Sequence, residues 1–69
     1  MSPRDYLLAL LRAGLTQTTI SAETGIPQPT LSRVARGQTK DLPWRRTRKL
    51  EALWELRVNG REVDVIVAN

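Results

Sequence analysis

The residues able to do chemistry in this chain are carboxylates, amides, hydroxyls, and ammonium and guanidinium groups. It has no histidine and no cysteine, which removes the commonest general base, the thiolate nucleophile, disulfides and the usual zinc ligands. It has no glycine-rich phosphate loop and no carboxylate pair at active-site spacing. An enzyme, a metal site, a cofactor and a small-molecule substrate are therefore not expected. What stands out is cationic. Between residues 33 and 49, Arg33, Arg36, Lys40, Arg45, Arg46, Arg48 and Lys49 face one acid, Asp41, for a net +6, whereas the whole chain carries +4. Residues 1–32 balance to zero and residues 50–69 sum to −2. Such a basic block suits a polyanion, because contacts to phosphates release condensed counterions. The bland reading of the same charges is a solvated helix face. A membrane-surface helix fits less well, since residues 36–49 are too polar to supply a broad apolar face.

These residues must be held by a very small scaffold. At 69 residues the chain is long enough for one small domain, which buries only about 60% of its unfolded surface. Without disulfides or metal, tight helix packing or oligomerisation must supply the stability. No signal-peptide pattern and no apolar run of membrane-spanning length is present, so a cytoplasmic protein is expected.

The pattern predicts an all-α, compact four-helix domain over residues 1–58, with a short extended tail at 59–69 that reads as a strand or hairpin arm. Ser2-Pro3 opens the first helix, with Asp5 completing a near capping box. Tyr6, Leu7, Leu8, Leu10 and Leu11 form its apolar stripe, and Gly14 is its left-handed stop. Thr16 caps the second helix, whose apolar positions are Ile20 and Ala22 and whose stop is Gly25. Gln28 precedes a proline and is pushed out of the α region. A third helix runs from Pro29 to about Arg36, burying Leu31 and Val34, and Gly37 ends it. Asp41-Leu42-Pro43 opens a fourth helix, from Trp44 to about Arg57, with Leu50, Leu53 and Trp54 as its inner face; the two tryptophans read as core or dimer-interface residues, and Trp44 can join that face. Glu51 and Glu55 can pair with bases at i±4.

Asn59-Gly60 reads as a helix C-cap or as a hairpin turn. The hairpin register sets Glu55 opposite Asp64, a like-charge pair, which favours the helix followed by an extended segment from Glu62. A lone strand there needs a partner edge, which a second copy of the chain could supply.

Helices at 16–24 and 29–36, joined by a short turn containing glycine, have helix-turn-helix geometry, which sets its second helix into the major groove. The series Thr16-Gln17, Ile20-Ser21, Gly25-Ile26, Leu31-Ser32, Val34 and Gly37 resembles the Cro/CI-type, lambda-repressor-like helix-turn-helix family, which includes lambdoid phage repressors. The resemblance covers about residues 5–57, and Ser21 departs from it, standing where the family usually has alanine.

The resemblance implies roles. Gln28 stands where phage repressors present a base-reading glutamine, whose amide can bond bidentately to adenine. Pro29 occupies the next base-reading position but cannot donate, leaving an apolar touch on a thymine methyl. Arg33, one turn on, suits the O6 and N7 acceptors of guanine. Ser32 is placed among the base contacts. Gln17, Thr30, Arg36, Lys40 and Arg45 are placed on the DNA backbone.

The function expected from these residues is a sequence-specific transcriptional regulator, repressor- or Cro-like, binding double-stranded DNA as a homodimer on a palindromic operator. The alternative is a protein-interaction module on the same scaffold, such as an antitoxin or a phage-encoded inhibitor, binding its partner through residues 62–69. RNA is a poorer fit, since an A-form major groove does not admit the third helix.

Overall fold

The computed structural model describes residues 1–39 and 42–59. Within them four α-helices, and no strand, surround one apolar core. The expectations for Lys40, for Asp41 and for the tail after Asn59 lie outside the described residues.

Helix α1 (Pro3–Arg12) starts as its sequence requires. The Ser2 hydroxyl accepts from the Asp5 N–H, and the Asp5 carboxylate accepts from the Ser2 N–H at 2.9 Å, a full reciprocal box. Its Tyr6, Leu7 and Leu10 are buried, while Leu8 and Leu11 are half-buried. Helix α2 (Gln17–Thr24) is capped by Thr16, whose hydroxyl accepts from the Thr19 N–H at 3.1 Å. Its inner face differs from expectation. Ile20 is buried, but Ala22 faces solvent and Thr24 takes the second inward position. Thr24 tolerates burial because its hydroxyl donates to the Ile20 carbonyl at 2.6 Å and accepts from the Ile26 N–H at 3.2 Å, which satisfies the group that burial would otherwise strand.

Helix α3 (Gln28–Ala35) begins one residue earlier than expected, so Gln28 lies inside it. The Pro27 carbonyl accepts from the N–H groups of both Thr30 and Leu31, at 3.0 and 3.1 Å, and the first turn closes on Pro27. Pro29 falls at the second helical position, where its missing N–H still costs nothing. Leu31 and Val34 are buried as expected.

Helix α4 (Trp44–Trp54) puts Leu50 and Leu53 into the core and leaves Trp54 half-buried against it. Trp44, expected in the core or at a dimer interface, is 67% exposed and so is not part of the core. Leu42, buried just before the helix, fills the core at that end instead. The chain continues as a π-helical turn over Glu55–Asn59 in place of regular helix to Arg57. Regular spacing from Leu50 and Leu53 would carry Arg57 inward. The wider turn brings Val58 against the core and leaves Arg57 outside.

Helix α1 packs on α3 and α4, and α2 packs on the same two. Leu7, Leu10, Ile20, Ile26, Leu31, Val34 and Leu50, all fully buried, are where these surfaces meet. No helix among the described residues is long and apolar enough to cross a membrane.

Candidate nucleic-acid interface

Two helices and the connection between them hold most of the side chains singled out above. Helix α2 ends at Gly25, which has φ 75° and ψ 6°. This left-handed conformation costs an L side chain roughly 1–2 kcal/mol and costs glycine little. Gly25 turns the chain, Ile26 drops into the core, and Pro27 starts α3. Ser21 braces the connection, its hydroxyl donating to the Ile26 carbonyl at 2.6 Å. An alanine at that position could not make this bond, so the residue that departs from the expected pattern has a structural task of its own.

Burial of Leu31 and Val34 fixes which face of α3 turns outward. Gln28, Pro29, Arg33 and Arg36 are exposed. Pro29 and Arg33 lie one turn apart, and Arg36 follows at i+3, so they share one stripe. Thr30 is half-buried on one flank of that stripe and Ser32 is half-buried on the other. Ser32 is tied across to α2, its hydroxyl donating to Gln17 Oε1 at 3.0 Å. The residues from Gly25 to Thr39 include no acid. The acid on α2, Glu23, meets Arg57 at 3.7 Å instead. That pair is half exposed and contributes about 0–1 kcal/mol. The charged side chains of α3 and its C-cap, Arg33 and Arg36, are both cationic.

The C-terminal end of α3 has a tether that nothing in the sequence pattern indicated. Arg4 of α1 donates through Nε to the Ala35 carbonyl at 2.9 Å, supplying a partner to one of the free carbonyls of the last turn. Just beyond, Gly37 adopts φ 75°, ending the helix where expected.

The start of α4 is also basic. Arg45, Arg48 and Lys49 are exposed and Arg46 is half-buried. The Arg45 guanidinium lies 5.8 Å from the centre of the exposed Trp44 ring, a cation–π contact. Among the described residues, His, Cys, Asp and Glu form no group of three that could hold a metal ion.

Against known proteins, 40 residues of the chain are 52% identical to protein P2 of Acyrthosiphon pisum secondary endosymbiont phage 1. The matched stretch is 58% of this chain and 43% of that protein, so the chain spans less than half the length of this phage relative. No family model matches the chain, and no solved structure matches it.

Proposed function

We propose that the chain is a sequence-specific DNA-binding protein of the lambda-repressor-like helix-turn-helix type, acting as a transcriptional regulator. In this reading α2, the connection Gly25–Pro27 and α3 are the helix-turn-helix, and α3 enters the major groove of double-stranded DNA. The observation that carries it is the outward stripe of α3, where Gln28, Pro29, Arg33 and Arg36 are exposed on a helix seated in the core by Leu31 and Val34.

Gln28 presents both halves of its amide and suits adenine, Arg33 suits guanine, and Pro29 offers an apolar edge to a thymine methyl. Gln17, Thr30, Arg36 and Arg45 are the backbone contacts, and Lys40 is assigned there on its sequence position. One module of this size covers about 600–1,000 Å² on DNA, so the operator is read by a two-fold dimer contacting two half-sites about one helical turn apart. Partial similarity to a phage protein is in keeping with a phage-type regulator.

The test is selection of bound duplexes from a random pool by the full chain and by Arg33→Ala. The reading predicts a recovered palindromic consensus in which Arg33→Ala relaxes one position per half-site. It is overturned if no consensus is recovered, or if the consensus of Arg33→Ala is unchanged.

A further inference from the structure

Ser32 and Gln17 lie on different helices, fifteen positions apart, and are joined by one hydrogen bond of 3.0 Å. The direction of that bond decides what each can offer a ligand. A hydroxyl has one proton, and here Ser32 gives it to Gln17 Oε1. Toward a base edge Ser32 can then act only as an acceptor, from a half-buried position. A carboxamide whose oxygen is engaged keeps two N–H donors on its opposite end. With one of the two Oε1 lone pairs taken by Ser32, a paired grip on adenine, which needs the oxygen and the nitrogen of one amide together, is disfavoured. A donor-only end is matched by an acceptor-only ligand, and on a duplex that is a phosphate oxygen. Gln28 differs: no hydrogen bond engages its side chain among the described residues, and both halves of its amide are free.

We infer that Ser32 is a positioning residue: its hydroxyl fixes the Gln17 carboxamide with the NH₂ group outward, where it donates to a DNA phosphate. This rests on the helix-turn-helix reading. It moves Ser32 from the bases to the support of a backbone contact. Ser21 and Thr24 lock the connection between the same two helices, so the brace joins elements already fixed relative to each other. Seating of α3 and orientation of the Gln17 amide are thereby one arrangement.

The experiment measures binding of the full chain to a fluorescein-labelled duplex carrying the selected sequence, by anisotropy across a salt series. It uses the wild type, Ser32→Ala, Ser32→Thr, Gln17→Ala and the Gln17→Ala/Ser32→Ala double variant, each checked for an intact thermal transition. Ser32→Ala is expected to weaken binding about two- to ten-fold, the range of one lost neutral hydrogen bond. The salt slope should stay as in the wild type, because a neutral amide displaces no condensed counterion from the phosphate it contacts, and the selected consensus should be unchanged. The double variant should bind no more weakly than Gln17→Ala alone, and Ser32→Thr, which keeps a hydroxyl, should restore the affinity. A changed consensus at one position would make Ser32 a base reader and overturn the inference. Wild-type affinity in Ser32→Ala would overturn it as well while leaving DNA binding intact. A wild type that binds no duplex removes this inference together with the reading it rests on.

Discussion

The Tyr6 hydroxyl donates to Glu51 Oε2 at 2.8 Å, joining α1 to α4 across 45 residues of chain. The Tyr6 ring also meets Trp54 edge-on, with centroids 5.3 Å apart. One side chain thus ties α1 to α4 through both a charge-assisted hydrogen bond and an aromatic contact. Glu51, expected to pair with bases along its own helix, serves this contact instead.

That contact makes stability pH-dependent on the alkaline side. The hydrogen bond to the Glu51 carboxylate holds the Tyr6 pKa above its ordinary value, with desolvation and the same negative charge acting in the same direction. A group whose folded pKa is raised stabilises fully below its unfolded pKa, about 10 for tyrosine. That stabilisation is lost as pH rises through the higher folded value. Tyr6→Phe should therefore melt at a lower temperature near neutral pH and lose less stability than the wild type on going to strongly alkaline pH. Parallel melting curves that fall equally in both proteins would show that Tyr6 does not carry the effect.

The acid limb depends on the cap of α1. The Ser2 N–H and the Ser2 side chain hold the Asp5 carboxyl below its ordinary range. A lowered folded pKa stabilises above the unfolded value, about 3.9, and the benefit is lost as pH falls through the lower folded value. Asp5→Asn should flatten the acid side of the stability profile below about pH 5, as followed by circular dichroism at 222 nm.

Gly25→Ala isolates backbone strain, because an added Cβ meets nothing within 4 Å at this position. With φ at 75°, the substitution should cost about 1–2 kcal/mol in denaturant unfolding. Gly25→Asn should cost less, since asparagine tolerates the left-handed region better. Equal stability of all three proteins would place the turn elsewhere.

The two tryptophans should separate cleanly. Trp44 is 67% exposed, whereas Trp54 packs against Tyr6 and the core. Iodide should quench the Trp54→Phe protein, which retains Trp44, more strongly than the Trp44→Phe protein. Trp54→Phe should also lower the melting temperature, and Trp44→Phe should leave it close to wild type. The reverse order in either measurement would return Trp44 to the core.

Much of this architecture was legible because strong local rules agreed. Ser2 with Asp5, Thr16, Gly25 and Gly37 mark ends by their own chemistry, and Leu7, Leu10, Ile20, Leu31, Val34 and Leu50 repeat at helical spacing. What stayed hidden depended on distant partners. Thr24 could be buried only because Ile20 and Ile26 offer backbone groups to its hydroxyl, and no pattern rule weighs that against Ala22. Trp44 is large and apolar and reads equally as core or as interface, but Leu42 already occupies that end of the core. The π-helical turn exchanges Arg57 for Val58 at the core, which regular periodicity cannot express. In the candidate interface, the exposed stripe of α3 followed from burial of Leu31 and Val34. The Ser32–Gln17 bond and the Arg4 tether did not, because each joins two elements whose relative placement is a tertiary fact.

The central claim is that the outer face of α3 engages duplex DNA, and salt-dependent binding tests it most directly. Affinity of the full chain for its selected duplex is measured between about 50 and 200 mM salt. The account predicts that the logarithm of the association constant falls linearly with the logarithm of salt concentration, with a slope reflecting several phosphate contacts, and that Arg33→Ala costs about 1–3 kcal/mol. Failure to bind duplex at the lowest salt, or affinity independent of salt and of Arg33, would contradict it.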